Sequence, residues 1–311
     1  MPVPAEKARI STPLAKVRDM LFRSQRTLRQ TVETQGVGLF TGTDACLRFV
    51  PAPADHGIAF QRTDVTGSAP IPARIEFVAS TQRRTAIARD GVQVEMIEHV
   101  MAALAGLQID NCLIEIDGPE VPGFDGSCRD VCNLLLAAGI VEQDRPREVI
   151  SLLMPVQVSA DDGDIEVVAR PMNCNGLAIT YQLDYGDRSP IPPQNLTVEI
   201  TPETFVRDIA FARTFVLDTE VAALQAAGYG RRVTHQDLLV FDANGHVIGN
   251  QLRAADEAVR HKILDCLGDF ALIGADLRGY FNAYRSGHRH NHDLVRRILL
   301  THQSSQCSEA V

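Results

Sequence analysis

A polar run in mid-chain, Glu142-Gln143-Asp144-Arg145-Pro146-Arg147, constrains the fold strongly because it separates two stretches of similar make-up. Each side holds several strand-like runs and two helical ones. A chain of 311 residues exceeds what one hydrophobic core usually organises, so the run reads as a linker between domains. The expected division is an extension over 1–24, a first domain over 25–146, a second over 147–303 and a tail over 304–311. Within each half the strands are mostly consecutive, which favours an α+β class over a doubly wound sheet. A chain of this length also permits a site between two domains.

In the first half, Ala45–Val50 and Gly57–Arg62 read as short strands around a Pro-rich turn. Ile97, Val100, Met101 and Leu104 recur at helical spacing within Val94–Leu107, which puts His99 on or at the mouth of a helix, and strand-like Cys112–Ile116 follows. Asp125-Gly126-Ser127 offers capping oxygens to a second helix, Arg129 to Ala138, which Gly139 can end. In the second half, Val149–Val158 and Asp164–Ala169 flank a turn at Asp161-Asp162-Gly163, and Leu177–Leu183 is a further strand. Thr201 caps a helix that starts at Pro202 and is expected to reach Ala212. Val240–Val247 reads as a hairpin turning at Asn244-Gly245, and a helix from Ala254 to Leu267 precedes a strand over Tyr280–Tyr284. The helix-then-strand order of His99–Ile116 recurs in His261–Tyr284, a pattern that suggests duplication.

Charge and composition exclude several classes of function. A formal charge of −9 argues against a general nucleic-acid or membrane surface, both of which need a clustered positive field. No segment approaches the roughly 20 apolar residues of a membrane span, and the first 24 residues lack the continuous apolar stretch of a secretory signal. Seven cysteines without paired spacings suit a reducing compartment, so a cytoplasmic protein is expected. Cys128 and Cys132 share one helix face, where buried thiols acting as small hydrophobes are the simplest reading.

The residues that carry chemistry start with His261 and Asp265. Four apart on a helix, they stack on one face one turn apart, a spacing that suits metal ligands but also arises in solvated side-chain pairs. Zinc requires a third protein ligand from elsewhere, and His99, beside Glu98, is a candidate. Zinc held by two histidines and a carboxylate keeps its fourth position for water and lowers that water's pKa towards about 7. A neighbouring Glu98 could then accept the proton, although an isolated Glu-His pair is more commonly a surface carboxylate and a core histidine. His288, His290 and His292 alternate and compete for the metal: on a strand all three would share a face, while Gly287 and Asn291 favour an exposed loop. Spacing alone leaves the choice open.

These segments resemble the UDP-3-O-acyl-N-acetylglucosamine deacetylase family, the zinc amidases of lipid A biosynthesis. The resemblance is carried by Gln35-Gly36-Val37-Gly38, Arg48-Phe49, Pro51-Ala52-Pro53, Glu98-His99 with Ala102–Leu107, and Ile109-Asp110-Asn111. It continues in Gly118–Pro122 with Asp125-Gly126-Ser127, Ala212-Arg213-Thr214-Phe215, Arg260–Asp265 with Gly268-Asp269, and Ser286-Gly287-His288. Together the pieces span about residues 25–300 in order, which is far more specific than any one of them.

The resemblance implies two α+β domains with a metal at their junction, held by His99, His261 and Asp265; zinc is the expected cofactor and iron the other candidate. It implies Glu98 as general base, His288 as a cation that stabilises the oxyanion and protonates the leaving amine, Asp269 as its orienting carboxylate and Thr214 as an oxyanion donor. Phe215 would cover the sugar, Lys262 and Arg285 would face the diphosphate, and the helix Val221–Ala227 would lie in the insert that guides the acyl chain. The implied partner is a UDP-linked acylated glucosamine bound by a monomer. Phe40 stands where the family commonly has His, Met96-Ile97 where Thr-Val is common, and Gly123-Phe124 where an apolar pair is more usual. Those departures bear on substrate preference, and they keep open a related amidase acting on another acylated amino sugar. A non-catalytic nucleotide-sugar binding protein is disfavoured by Glu98, which binding alone does not require.

Overall fold

The computed structural model describes residues 23–160, 163–172 and 176–309, with side chains to 304. Two sheet-and-helix halves build it. In the first, the strands Val32–Val37, Asp44–Pro51, Cys112–Ile116, Ile58–Arg62 and Ile71–Pro72 lie in that order, with Ile58–Arg62 parallel to Cys112–Ile116. Helix α1, Glu98–Gly106, precedes Cys112–Ile116, and helix α2, Arg129–Ala138, follows it. In the second half, Asp276–Tyr284 runs antiparallel to Glu166–Arg170 and parallel to Leu177–Leu183. Helix α3, Asp218–Ala226, lies outside the sheet; helix α4, Glu257–Phe270, precedes Asp276–Tyr284, and helix α5, His288–Glu309, follows it. Both halves thus carry a parallel strand pair whose second strand comes after a buried helix and before another helix, and the helix-then-strand duplication is real at the level of topology.

The two buried helices meet at the centre. Helix α1 is apolar around most of its circumference, with Glu98 to Leu104 all buried, as a helix packed on every side must be. Helix α4 is buried at nearly every position and packs against α1. They come close together at Gly268, where a Cβ atom would stand 2.1 Å from the Glu98 carbonyl oxygen. Only a residue without a side chain lets the backbones come this near, and the contact sets Glu98 beside Asp265 and Asp269.

Several elements differ from expectation. The polar run expected as a linker is mostly strand: Ile140–Pro146 pairs antiparallel with Ser24–Leu28. Its side chains are largely exposed, so no burial periodicity marked it. The helix beginning at Pro202, with Thr201 capping it, gives one turn to Thr204 and then a wider turn through Ile209, short of Ala212. The hairpin at Asn244-Gly245 shrinks to a single bridge between Phe241 and Val247. Asp161 and Asp162 lie outside the described residues, but the flanking strands Val156–Ser159 and Glu166–Arg170 pair as expected. Residues 1–22 of the extension also lie outside them, and α5 continues to Glu309 through the segment expected as a tail. Among the described residues no helix is long and apolar enough to cross a membrane.

Candidate metal centre

Helix α1 brings His99 to the junction of the halves and α4 brings His261 and Asp265. All three are buried, and one ligand atom from each lies within 4.8 Å of the others. The His261 Nε2 stands 3.3 Å from Asp265 Oδ1 and the His99 Nε2 stands 3.7 Å from the same oxygen. Donors about 2.0–2.2 Å from a tetrahedral zinc ion are themselves roughly 3.4 Å apart, so the spacing fits the ion. The tautomer fits as well. His261 Nδ1 lies 3.1 Å from the Ala212 carbonyl oxygen, which can only accept, so Nδ1 carries the proton and Nε2 offers its lone pair to the cluster. Burial pushes His261 down to about 4 even though Asp265 pulls the other way, and a neutral imidazole is what a metal binds.

The segment that supplies Ala212 is itself anchored. Arg213, buried, makes a two-pronged contact with buried Glu257 at 2.8 and 3.0 Å, tying Ala212–Phe215 to the first turn of α4. Sequence reading passed over this pair because neither residue carries a ligand or acid–base signal. Thr214 follows, half-buried, with its backbone N–H donating to the Gly126 carbonyl oxygen. The Phe215 ring lies edge-on to His261, 6.3 Å between centroids, and at the same distance from Tyr185.

Glu98 begins α1 and is buried beside His99. Its Oε2 accepts from the Thr85 backbone N–H at 3.0 Å, and its Oε1 lies 3.8 Å from His288 Nε2. Burial lifts the Glu98 carboxyl above the usual range, partly opposed by His288 and His99. His288 opens α5 and its Nδ1 donates to Asp269 Oδ2 at 2.9 Å. Burial alone would push His288 down, but Asp269, Glu98 and Asp265 together outweigh it, and the imidazole rises to about 9. It is therefore a cation at neutral pH.

The alternating histidines form neither the strand face nor the exposed loop that the sequence suggested. They occupy the start of α5, where residues four apart share a face, so His288 and His292 both reach Asp269. His292 Nε2 stands 3.1 Å from Asp269 Oδ1, a contact that sequence reading missed; helical rather than strand periodicity would have found it. The described residues group no metal-sized cluster around this run.

The two basic candidates have carboxylate partners. Lys262 Nζ lies 2.6 Å from Asp265 Oδ2; burial disfavours its charge, but Asp265 holds its pKa well above the usual range. Arg285 donates to Asp184 at 2.8 Å and its guanidinium lies over the Tyr284 ring. Phe40, the departure noted above, receives the Arg84 guanidinium 4.3 Å from its ring centroid and the Tyr229 ring edge-on at 5.4 Å. Helix α3, expected in the insert, has no fully buried residue, and Val221 and Leu224 are half-buried.

Residues 25–300 match the family described as LpxC: UDP-3-O-acyl N-acetylglycosamine deacetylase. The UDP-3-O-acyl-N-acetylglucosamine deacetylase of Myxococcus xanthus (strain DK1622) is 40% identical over 276 residues, covering 89% of this chain and 86% of that protein. Its counterpart in Bdellovibrio bacteriovorus is 39% identical, covering 88% of this chain and 89% of the relative. That of Psychrobacter cryohalolentis is 36% identical, covering 93% and 89%. With the match running through nearly all the described chain, this protein belongs to the UDP-3-O-acyl N-acetylglycosamine deacetylase family.

Proposed function

We propose that the chain is a metal-dependent amide hydrolase that removes the N-acetyl group of UDP-3-O-acyl-N-acetylglucosamine, releasing acetate and a free amine, in lipid A biosynthesis. The observation that carries this reading is a buried set of His99, His261 and Asp265 with Glu98 beside it and His288 3.8 Å from Glu98. Zinc held by those three residues, or iron in its place, supplies a Lewis acid for the acetyl carbonyl and an acidified water. Glu98 accepts the proton of the attacking water. His288, cationic and fixed by Asp269, stabilises the negative charge that develops on the carbonyl oxygen and passes its Nε2 proton to the departing amine. Thr214 adds a hydroxyl donor to the same oxygen.

Substrate contacts extend this arrangement outward. Phe215 covers the sugar from the His261 side, while Lys262 and Arg285 direct positive charge towards the diphosphate. Arg285 contacts Asp184, just past the strand Leu177–Leu183, and Lys262 Nζ lies 5.9 Å from the ring of Tyr181 within that strand. The protein works as a cytoplasmic monomer in this reading. The Phe40–Arg84–Tyr229 stack favours one variant of it, in which the acylated amino sugar differs from that of relatives with His at this place. Acetate release from several acylated amino sugars, with and without a chelator, tests both. Chelator-sensitive release from the UDP-linked sugar is expected. Release from none of them would contradict an enzymatic role, and release only from another sugar would favour the variant.

A further inference from the structure

The proposed base and acid belong to different halves of the molecule: Glu98 stands on α1 and His288, with Asp269, on α5 and α4. Their relative placement must hold to a fraction of an ångström for proton transfer to be efficient. One residue spans the gap. Thr85 precedes the strand Ala86–Arg89 of the first half, and it is buried. Its backbone carbonyl accepts from Ile97 N–H at 3.2 Å and its N–H donates to Glu98 Oε2 at 3.0 Å, so it is stitched to the start of α1. Its hydroxyl points the other way and donates to Asp269 Oδ1 at 2.6 Å, since a carboxylate can only accept. The same oxygen atom of Thr85 lies 3.1 Å from His292 Nε2 and 3.3 Å from His288 Nδ1.

We propose that Thr85 is a positioning residue for this reaction, a strut whose backbone holds Glu98 and whose hydroxyl fixes Asp269 and through it His288. The inference rests on the deacetylase reading above. Asp269 is saturated by four donors: Thr85 and His292 on Oδ1, and His288 and the Asn291 side chain on Oδ2. Of these only Thr85 comes from the first half; the other three move with α5. Without the hydroxyl, the direct ties between Glu98 and the acid reduce to the 3.8 Å approach of His288, which is too long for a hydrogen bond.

The test compares Thr85→Val, which keeps the backbone contacts and nearly the side-chain shape, with Thr85→Ser, which keeps the hydroxyl. Both are made in the full metal-loaded protein, alone and combined with His288→Gln. Thr85→Val is expected to lower kcat by roughly 10- to 10²-fold, less than loss of the acid itself, with KM and metal content within about twofold. Thr85→Ser should recover most of the rate. In the His288→Gln background the valine change should cost no more than about twofold further, because the strut acts through a group already removed. An equal loss in both backgrounds, a serine variant as slow as the valine one, or an unchanged kcat would each overturn the proposal. If Thr85→Val does not fold, Thr85→Ala, which places no methyl against Asp269, carries the same comparison. A parent protein that releases no acetate would sink the deacetylase reading; an active parent with an unaffected valine variant sinks only the strut.

Discussion

Asp265 and Asp269 stand one turn apart on the same helix, both buried, and each faces two histidines. Around Asp265 the His99 and His261 nitrogens converge at 3.7 and 3.3 Å. Around Asp269 four donors close in at 2.6–3.1 Å and leave no acceptor capacity spare. The electrostatics diverge accordingly: His261 falls to about 4, and His288 rises to about 9. Burial opposes charge on both rings. The difference lies in the surrounding charges: Lys262 and His99 act against protonation of His261, while Glu98 and Asp265 reinforce Asp269 in favouring it at His288. The same residue types thus make a cation site in one place and a resident cation in the other. On the proposed reading, the surrounding charges and the saturation of the carboxylate, rather than the number of histidines, separate a metal site from an acid held ready.

The largest effect should come from emptying the first cluster. His261→Ala and Asp265→Ala each leave two of three protein ligands, so metal content and turnover should fall together to background, with folding largely kept. Full metal occupancy in both would remove α4 from the metal site. Next come the groups proposed to move protons. Glu98→Gln and His288→Gln should each retain the metal and lose about 10²–10⁴-fold in kcat. Activity within a few-fold of the parent, in either, would strike that residue from the mechanism.

The pH profile sharpens the contrast between the two carboxylates. His288 must be protonated to act, so the rate should hold through neutral pH and fall as pH rises through about 9, its shifted value. His288→Gln should abolish that limb. The stability carried by the same ion pair follows the same sign: it is present in full below the free value of 6.5 and lost on passing through about 9. The smallest effect is expected at His292. Since it shares Asp269 with three other donors, His292→Gln should cost about tenfold or less, the low end for an outer partner of a working group, with metal unchanged. A loss as large as that of His288→Gln would give His292 the acid's role.

Much of this was legible in the sequence because helical periodicity survives without a structure. His261 and Asp265, four apart, had to share a face; Asp269 joins it because α4 runs on to Phe270, past the expected end at Leu267. The apolar spacing within Val94–Leu107 marked a helix, and Glu98–Gly106 is one, although Val94 and Glu95 belong to the strand Val92–Glu95 before it. What stayed hidden depended on chain reversals and close approaches that no local pattern records. No local pattern marks Thr85, and its proposed role depends on the packing of α1 on α4 at Gly268. His292 was misjudged because a Gly287 turn and alternating histidines suggest a loop, whereas the chain enters α5 there. The polar strand Ile140–Pro146 was hidden for the opposite reason: its side chains face solvent, so nothing alternates.

The most direct test of the contrast is metal content in two isosteric variants, Asp265→Asn and Asp269→Asn, purified side by side without added metal. An amide in place of Asp265 removes the anionic ligand, and metal should be lost. The same change at Asp269 removes the partner that keeps His288 charged, so the metal should stay while turnover and the limb near 9 disappear. Metal retained by Asp265→Asn and lost from Asp269→Asn would contradict the account and move the metal to the histidines of α5.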